Sequence, residues 1–251
     1  MTELIITAFI AAFILQFLDA SAGMGYGTLS AILILFNFPP LEAISAVICT
    51  GAVLSLLAGF LHHGFKNIDL ADKKNKKILL VLIGFGIFAI TVGVFTAMNI
   101  PAFYLKLYIG ILVSAIGIFI LIKKSKKRTF SWKRLLFFGS LASFNKGLSG
   151  EGYGPVLAGG QILSGVDPKK AVGITALSEG IVSLVGFSFF ILINGMASVN
   201  WILIVCLLAG GLISTPLAVY FVKSTKTEKL KYLIGLISLA SGLLIIIRMF
   251  T

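Results

Sequence analysis

The chain has 251 residues, of which 58% are hydrophobic and 12% are charged, and its mean hydropathy is +1.07. A soluble domain of this length could not bury so much apolar surface, so the composition predicts an all-α polytopic protein of the cell membrane. The formal net charge is +12, but the basic residues concentrate in short connectors between apolar runs. That distribution is typical of cytoplasmic loops facing a lipid bilayer and argues against a nucleic-acid partner.

The apolar stretches divide the chain into two halves of five segments each, 1–122 and 123–251. In chain order the first half contains 4–18, 28–38, 42–61, 78–98 and 103–122. The second half repeats this order with 135–144, 155–163, 171–193, 201–222 and 232–250. A helix needs roughly 20 residues to cross a bilayer core of about 30 Å. The long segments therefore predict full spans, three in each half, and the short pairs predict broken-helix, re-entrant hairpins at 4–38 and 135–163.

Each predicted hairpin turns at a glycine-rich tip of the same pattern. Residues 23–28 read Gly-Met-Gly-Tyr-Gly-Thr, and residues 150–155 read Gly-Glu-Gly-Tyr-Gly-Pro. Glycine lets the backbone approach a ligand closely, and irregular backbone inside a membrane must be surrounded by protein or by a water-filled cavity. A helix that begins after such a tip directs its partly positive N-terminal end at the membrane interior, where it favours an anion. Close helix packing is the alternative role of these glycines.

We predict that the two tips and the polar residues before the second tip contact a small anionic substrate. The candidate substrate-binding residues are Gly23, Gly25, Tyr26, Gly27, Thr28, Asn145, Lys146, Ser149, Gly150, Gly152, Tyr153 and Gly154. Core packing is an equally good interpretation of the two tyrosines. The sequence offers no metal-ligand motif and no cofactor motif, and the two cysteines, Cys49 and Cys206, lie inside apolar segments as expected of free thiols.

Four charged residues fall at apparent membrane depth: Asp19, Lys146, Glu151 and Glu179. Charges at this depth are costly and are usually functional or paired. Asp19 and Lys146 occupy equivalent positions in the two halves, so one hypothesis pairs them across the repeat axis. Glu179 is a candidate proton carrier, with Asp19 and Glu151 as the other coupling candidates, and a structural role beside neighbouring hydroxyls is its alternative. Glu151 could also pair with Lys146.

Equivalent connectors of the two halves differ in charge. Segment 62–77 is basic and its counterpart 194–200 is uncharged, whereas 99–105 is uncharged and its counterpart 223–231 is basic. Because cytoplasmic loops are enriched in Lys and Arg, equivalent loops prefer opposite sides, which predicts inverted repeats. The resulting topology places four connectors in the cytoplasm: 62–77, 123–134, 164–170 and 223–231. They contain 18 of the 21 basic residues, and both termini then lie outside. A parallel arrangement of four spans in each half is the alternative.

The tips and their flanks resemble the sulfite exporter TauE/SafE family of membrane permeases. The resemblance rests on four stretches that cover the tips and two further segments: 18–28, 145–155, 171–175 and 63–69. It implies a duplicated permease that moves sulfur-containing anions such as sulfite or organosulfonates, often outward. It does not imply a particular substrate. The candidate coupling ion is a proton, and a homodimer is possible in principle; both stay open.

Two other functions are compatible with parts of the sequence. A passive anion channel would need neither Glu179 nor an alternating site. Residues 147–150 read Gly-Leu-Ser-Gly, a pattern of rhomboid-type intramembrane serine proteases, whose chemistry needs a base near the serine. The only histidines, His62 and His63, fall in a cytoplasmic connector, where a solvated or helix-capping role is expected. A secondary transporter is therefore the preferred hypothesis.

Overall fold

The computed structural model describes residues 2–97, 102–122, 129–149 and 153–247. These ranges contain ten α-helices and no strand, which confirms the predicted all-α fold. The helices are α1 (Thr2–Ala22), α2 (Leu29–Leu35), α3 (Pro40–Gly64), α4 (Lys73–Ala97), α5 (Ala102–Ile122), α6 (Trp132–Ser149), α7 (Tyr153–Leu163), α8 (Pro168–Asn194), α9 (Trp201–Ser224) and α10 (Thr227–Ile247). Short 3₁₀ turns, Tyr26–Thr28 and Met196–Ser198, come before α2 and α9.

Six helices within the described ranges are long and apolar enough to cross a membrane. They are Leu4–Ala22, Pro40–Gly64, Lys73–Val92, Pro168–Asn194, Trp201–Ser224 and Thr227–Ile247. The chain is thus a multi-pass membrane protein, as predicted. Most of these helices begin or end beyond the predicted apolar segments, since basic and polar residues extend them past the hydrocarbon region. The lysines at 73–77, for example, form the first turns of α4.

The first arm of the first hairpin is longer than the predicted segment 4–18. Helix α1 continues through Asp19 to Ala22 and contains 21 residues, about 31 Å at 1.5 Å per residue. Asp19 does not stop the helix because the backbone of Tyr26, in the turn that follows, hydrogen-bonds to its carboxylate. The helix ends at Gly23, whose φ of +75° favours glycine. The prediction of a half-length first arm is therefore wrong.

The first arm of the second hairpin is also longer than predicted. The segment 135–144 lies inside α6, which has 18 residues and includes Asn145 and Lys146. The Lys146 side chain pairs with Glu179 inside the protein, so its charge does not end the helix. The return arm α7 ends at Leu163, as predicted for the segment 155–163. Gly165, two residues beyond this end, has a φ of +92°. The next helix begins at Pro168, three residues before the predicted segment 171–193, and the Asp167 side chain caps it by accepting a hydrogen bond from the Lys169 amide at 3.0 Å.

The two return arms differ in how deeply they are packed. Every residue of α7 is buried, and the helix packs against α5, α6, α8 and α10. Its counterpart α2 has seven residues and packs mainly on α3, and its Leu35 side chain is 69% exposed. Asn37, with a φ of +63°, follows the end of α2 and turns the chain towards α3. The return arm of the second hairpin is therefore the more deeply packed of the two.

Small residues bring the long helices close together, which is how helices associate in lipid. Gly117 of α5 faces the backbone of α10 at Gly235 and Leu239, and Gly242 of α10 faces Ser114 of α5. Gly59 and Gly180 play the same part where α3 crosses α8. The pairing of α1 with α9 has its repeat counterpart in the pairing of α6 with α4.

Side-chain contacts group the connectors at the two ends of the helices. At one end Lys170 lies 4.0 Å from Asp72, Lys169 donates to the Lys223 carbonyl at 2.7 Å, and the Ser131 amide donates to the Ser164 carbonyl. These contacts join the four connectors predicted to be cytoplasmic: 62–77, 123–134, 164–170 and 223–231. The predicted topology requires them to lie together, and these contacts support it.

Two further contacts lie at the other end. Asn200 donates to the Glu42 carboxylate at 2.6 Å, and the Cys206 thiol donates to the Ile5 carbonyl at 3.2 Å. The beginnings of α1, α3 and α9 therefore lie at one end, as expected if the first hairpin enters and leaves on one side. The inverted orientation of the halves and the side that faces the cytoplasm stay predictions.

Candidate substrate site

The two glycine tips meet inside the helix bundle. Gly154, at the start of α7, lies against the carbonyl oxygen of Gly23 and the backbone of Met24, so a Cβ atom at position 154 would overlap that oxygen. On its other side Gly23 packs against Ala158 and Thr175, 3.1 and 3.4 Å from where its own Cβ would lie. The structure thus brings Gly154, a described residue of the second tip, into contact with Gly23 and Met24 of the first tip.

The remaining residues of the first tip are engaged in its own turn. Gly25, with a φ of +129°, packs against α1 close to the Leu15 carbonyl. The Thr28 hydroxyl donates to the Gly25 carbonyl at 2.7 Å, and the Gly27 carbonyl accepts from the Ser30 hydroxyl at 3.1 Å. These bonds shape the tip. Because the Thr28 hydroxyl is used within the turn, Thr28 contributes to a site mainly by stabilising that turn.

The two predicted tyrosines occupy matching environments. Tyr26 is 3% exposed, and its hydroxyl lies 2.8 Å from Thr50. Thr50 already donates its proton to the Ala46 carbonyl at 2.7 Å, so Tyr26 is the donor in this pair. Tyr153 is likewise 3% exposed and has its hydroxyl near Ser178, the counterpart of Thr50. However, none of the described residues completes a hydrogen bond with the Tyr153 hydroxyl.

The charged centre of the site is an ion pair between Lys146 of α6 and Glu179 of α8. The lysine Nζ lies 2.9 Å from Glu179 Oε1, and the two side chains are only 12% and 14% exposed. The same ammonium lies 4.8 Å from the centre of the Tyr153 ring, within the range of a cation–π contact. In the described structure the direct partner of Lys146 is therefore Glu179, and not Asp19 as one hypothesis held.

Asp19 lies beside this pair. Its carboxylate is 5% exposed, interacts electrostatically with both Glu179 and Lys146, and accepts a backbone hydrogen bond from Tyr26. Two carboxylates thus share one ammonium within low-dielectric surroundings, where charge interactions are strong. The second oxygen of Glu179, Oε2, is buried and has no hydrogen-bond partner among the described residues.

The other predicted site residues divide between buried positions and positions that the structure does not describe. Asn145, next to the lysine in sequence, is fully buried. Ser149 ends α6, and its side chain lies outside the described part of the chain, as do Gly150, Glu151 and Gly152. The proposed pairing of Glu151 with Lys146 therefore stays a prediction.

Comparison with known proteins places this architecture in a family. The family model described as "Sulfite exporter TauE/SafE" matches residues 8–245. The chain belongs to the TauE/SafE family. It is also similar to a protein of Bacillus subtilis (strain 168) named "Probable membrane transporter protein YtnM", with 28% identity over 248 residues, 94% of this chain and 80% of the relative. No solved structure matches the chain significantly.

One polar network near the first tip of this TauE/SafE protein departs from its sequence prediction. His62 is fully buried, and its Nε2 lies 2.9 Å from the Ala20 carbonyl at the end of α1. Asn67 donates its amide hydrogens to His62 Nδ1 at 3.0 Å and to the Val219 carbonyl at 3.1 Å. Since Nδ1 accepts, Nε2 must carry the proton, and His62 is the neutral tautomer.

This network ties the tip to the helix ends around it. His62 joins α3 to α1 three residues before Gly23, and Asn67 extends the connection to α9. The expected solvated or capping role therefore holds only for the exposed His63, not for His62. A pattern of two adjacent histidines cannot distinguish these roles, because burial depends on which face of α3 meets α1.

Proposed function

We propose that this TauE/SafE protein is a secondary transporter of small sulfur-containing anions such as sulfite or organosulfonates. The anion would bind near the bilayer midplane between the two glycine tips. Export is the direction that the family resemblance favours. The membrane-transporter role is common to the family. The sulfur-containing substrate class is what the family resemblance implies, and the binding site is inferred from the geometry of the tips.

The observation that carries the proposal is the position of Lys146. Its ammonium lies at the N-terminal end of α7, 4.8 Å from the ring of the first residue of that helix, Tyr153. A helix N-terminus carries about half a positive charge and offers unpaired N–H groups. A buried ammonium and a helix N-terminus in one place favour an anion, and the Tyr153 hydroxyl supplies a further donor. A sulfonate or sulfite group has three oxygens that could accept from such donors.

The close contact of Gly154 with Gly23 supports the proposal that the two tips form one site. A side chain on Gly154 would overlap the Gly23 carbonyl, force the two backbone segments apart and displace the start of α7. The glycines therefore serve close packing, and this packing positions the donors that face the anion. Close helix packing and anion binding, the two roles considered for the tip glycines, are therefore compatible.

Flux into liposomes containing the purified protein tests the function. We expect uptake of sulfite and methanesulfonate above that of protein-free liposomes, with chloride excluded. Accumulation driven by an imposed pH gradient indicates a coupled transporter, whereas equilibration alone indicates a passive anion channel. Absence of flux for every sulfur anion, or equal permeation of chloride, would overturn the proposed function. Lys229→Ala, a change at an exposed lysine on α10, is the matched control for variants of Lys146.

A further inference from the structure

The proposed anion site is already occupied by a carboxylate. Glu179 Oε1 holds the lysine ammonium at 2.9 Å, so a substrate anion that binds Lys146 must take the place of Glu179. Asp19 adds a second carboxylate within electrostatic reach of both groups. With both acids ionised, an incoming anion meets a site of net negative charge, and binding is opposed by several close charge interactions.

We infer that the anion and a proton enter this site together: the anion replaces Glu179 on Lys146 while Glu179 takes up a proton. This inference rests on the proposed function. The step balances in charge, since the carboxylate oxygen binds one proton from water on the open side and the site gains one negative charge from a monovalent anion. Release reverses both events, so each anion moves with one proton.

Glu179 is suited to this exchange by its contacts. One of its oxygens bonds the lysine, and the other is buried without a hydrogen-bond partner among the described residues. Such an oxygen is poorly stabilised as part of a carboxylate once the lysine turns to another anion, because a buried, unpaired charge is costly. Asp19 keeps its backbone hydrogen bond from Tyr26 in either case, and it is not the acid that the anion displaces from Lys146.

The groups around Glu179 leave few other proton acceptors. Helix α1 brings Asp19, α6 brings Lys146 and α7 brings Tyr153. On the adjoining turn of α8, Gly180 lies against Leu56 of α3 and Val182 lies against Gly86 of α4, and neither Leu56 nor Gly86 titrates.

The repeat supplies a further argument for a single proton. The counterpart of Glu179 in the first half is Gly51, whose position is covered by the Tyr26 ring at 3.4 Å. The first half therefore has no equivalent carboxylate, and the exchange involves one acid.

Proton uptake on binding tests the inference. The probe is methanesulfonate, since a sulfonate stays ionised across the working range whereas sulfite itself titrates. Purified protein in weakly buffered solution is mixed with the probe between pH 6 and pH 8, and the change in pH is recorded together with the affinity. We expect about one proton per bound anion and an affinity that rises about tenfold for each unit by which the pH is lowered.

Glu179→Gln keeps the shape of the protonated side chain and cannot titrate. It should bind methanesulfonate with no proton uptake and with an affinity independent of pH, higher at pH 8 than that of the parent. Glu42→Gln, at a carboxylate bonded to Asn200 far from the tips, should keep the uptake of the parent. Glu179→Asp should keep part of the proton uptake. This variant tests the inference if Glu179→Gln does not fold.

The outcomes separate the inference from the function on which it rests. Binding by the parent without proton uptake, or undiminished uptake by Glu179→Gln, overturns the exchange and leaves the transporter in place. Loss of proton uptake in Glu151→Gln but not in Glu179→Gln would also overturn the exchange, because it would identify Glu151 in the tip as the group that takes up the proton. Failure of the parent to bind either methanesulfonate or sulfite overturns the proposed function itself.

Discussion

The carbonyl oxygen of Gly23 lies directly against Gly154, with no space for a side chain between them. The two residues are not exact repeat counterparts, yet each belongs to the glycine tip of its own half. Their contact positions the start of α7 beside Lys146. The geometry of the proposed anion site thus depends on a backbone contact between the halves.

Gly154→Ala should disrupt this contact and abolish or strongly reduce transport. The added methyl group would overlap the Gly23 carbonyl, and backbone cannot move aside as a flexible side chain can. Overpacking of this kind costs about 1–3 kcal/mol or more. The measurements are thermal stability in detergent and sulfite flux in liposomes.

The control for this prediction is Gly84→Ala in α4, where a Cβ would meet nothing within 4 Å. We expect that variant to be as stable and as active as the parent. Equal behaviour of the two variants would show that the tips do not touch as described.

The hairpins show how far apolar length can predict structure. The glycines at 23–27 and the half-length α7 are accessible from the sequence, because an irregular backbone inside a membrane requires small residues. The true ends of α1 and α6 are not, since Asp19 and Lys146 interrupt the apolar runs without ending the helices. Their partners, Tyr26 and Glu179, come from other segments, and only the folded chain reveals that these charges are accommodated.

His62→Phe should destabilise the protein, because it removes the partner of two buried polar groups. The Ala20 carbonyl would lose its donor and Asn67 would lose an acceptor. Each unsatisfied buried group costs about 1–3 kcal/mol. We expect a clear fall in thermal stability and, because the network holds the end of α1, reduced anion affinity.

His63→Phe provides the comparison, since His63 is exposed and water can replace its bonds to the backbone near Ile68. It should have little effect on stability or affinity. A His62→Phe variant as stable as the His63→Phe variant would contradict the structural role given to this network.

The sequence identifies the unusual charges of the candidate site but not their contacts. The sequence identifies Lys146, Glu179 and Asp19 as unusual, because charges at membrane depth need a reason. It cannot say which acid meets the lysine, since equivalent repeat positions suggest Asp19 whereas the crossing of α6 and α8 selects Glu179. Likewise, sequence spacing does not reveal that the Thr28 hydroxyl is used within its own turn.

The inverted topology predicts opposite accessibility for two connectors. In a variant lacking Cys49 and Cys206, a cysteine introduced at position 125 should react from the cytoplasmic face and one at 196 from the external face. The native Met196 side chain is 54% exposed, so a thiol there is accessible to a reagent. Labelling by a membrane-impermeant maleimide, in intact cells and in inverted vesicles, measures this. Reaction of both positions from the same face would refute the inverted arrangement.

Lys146→Ala should weaken anion binding by about tenfold or more, the effect of losing a charge-assisted hydrogen bond of 1.4 kcal/mol or above. Lys146→Arg should be partly tolerated because it keeps the positive charge. The alanine variant should also lose stability, since Glu179 would be left as a buried carboxylate without its cation.

Adding Glu179→Gln to Lys146→Ala separates these two effects. The double variant removes both charges, so its thermal stability should recover towards that of the parent. Its affinity for methanesulfonate should stay low, because the ammonium that binds the anion is still missing. If affinity recovers together with stability, Lys146 acts only as the structural partner of Glu179, and the anion is bound elsewhere.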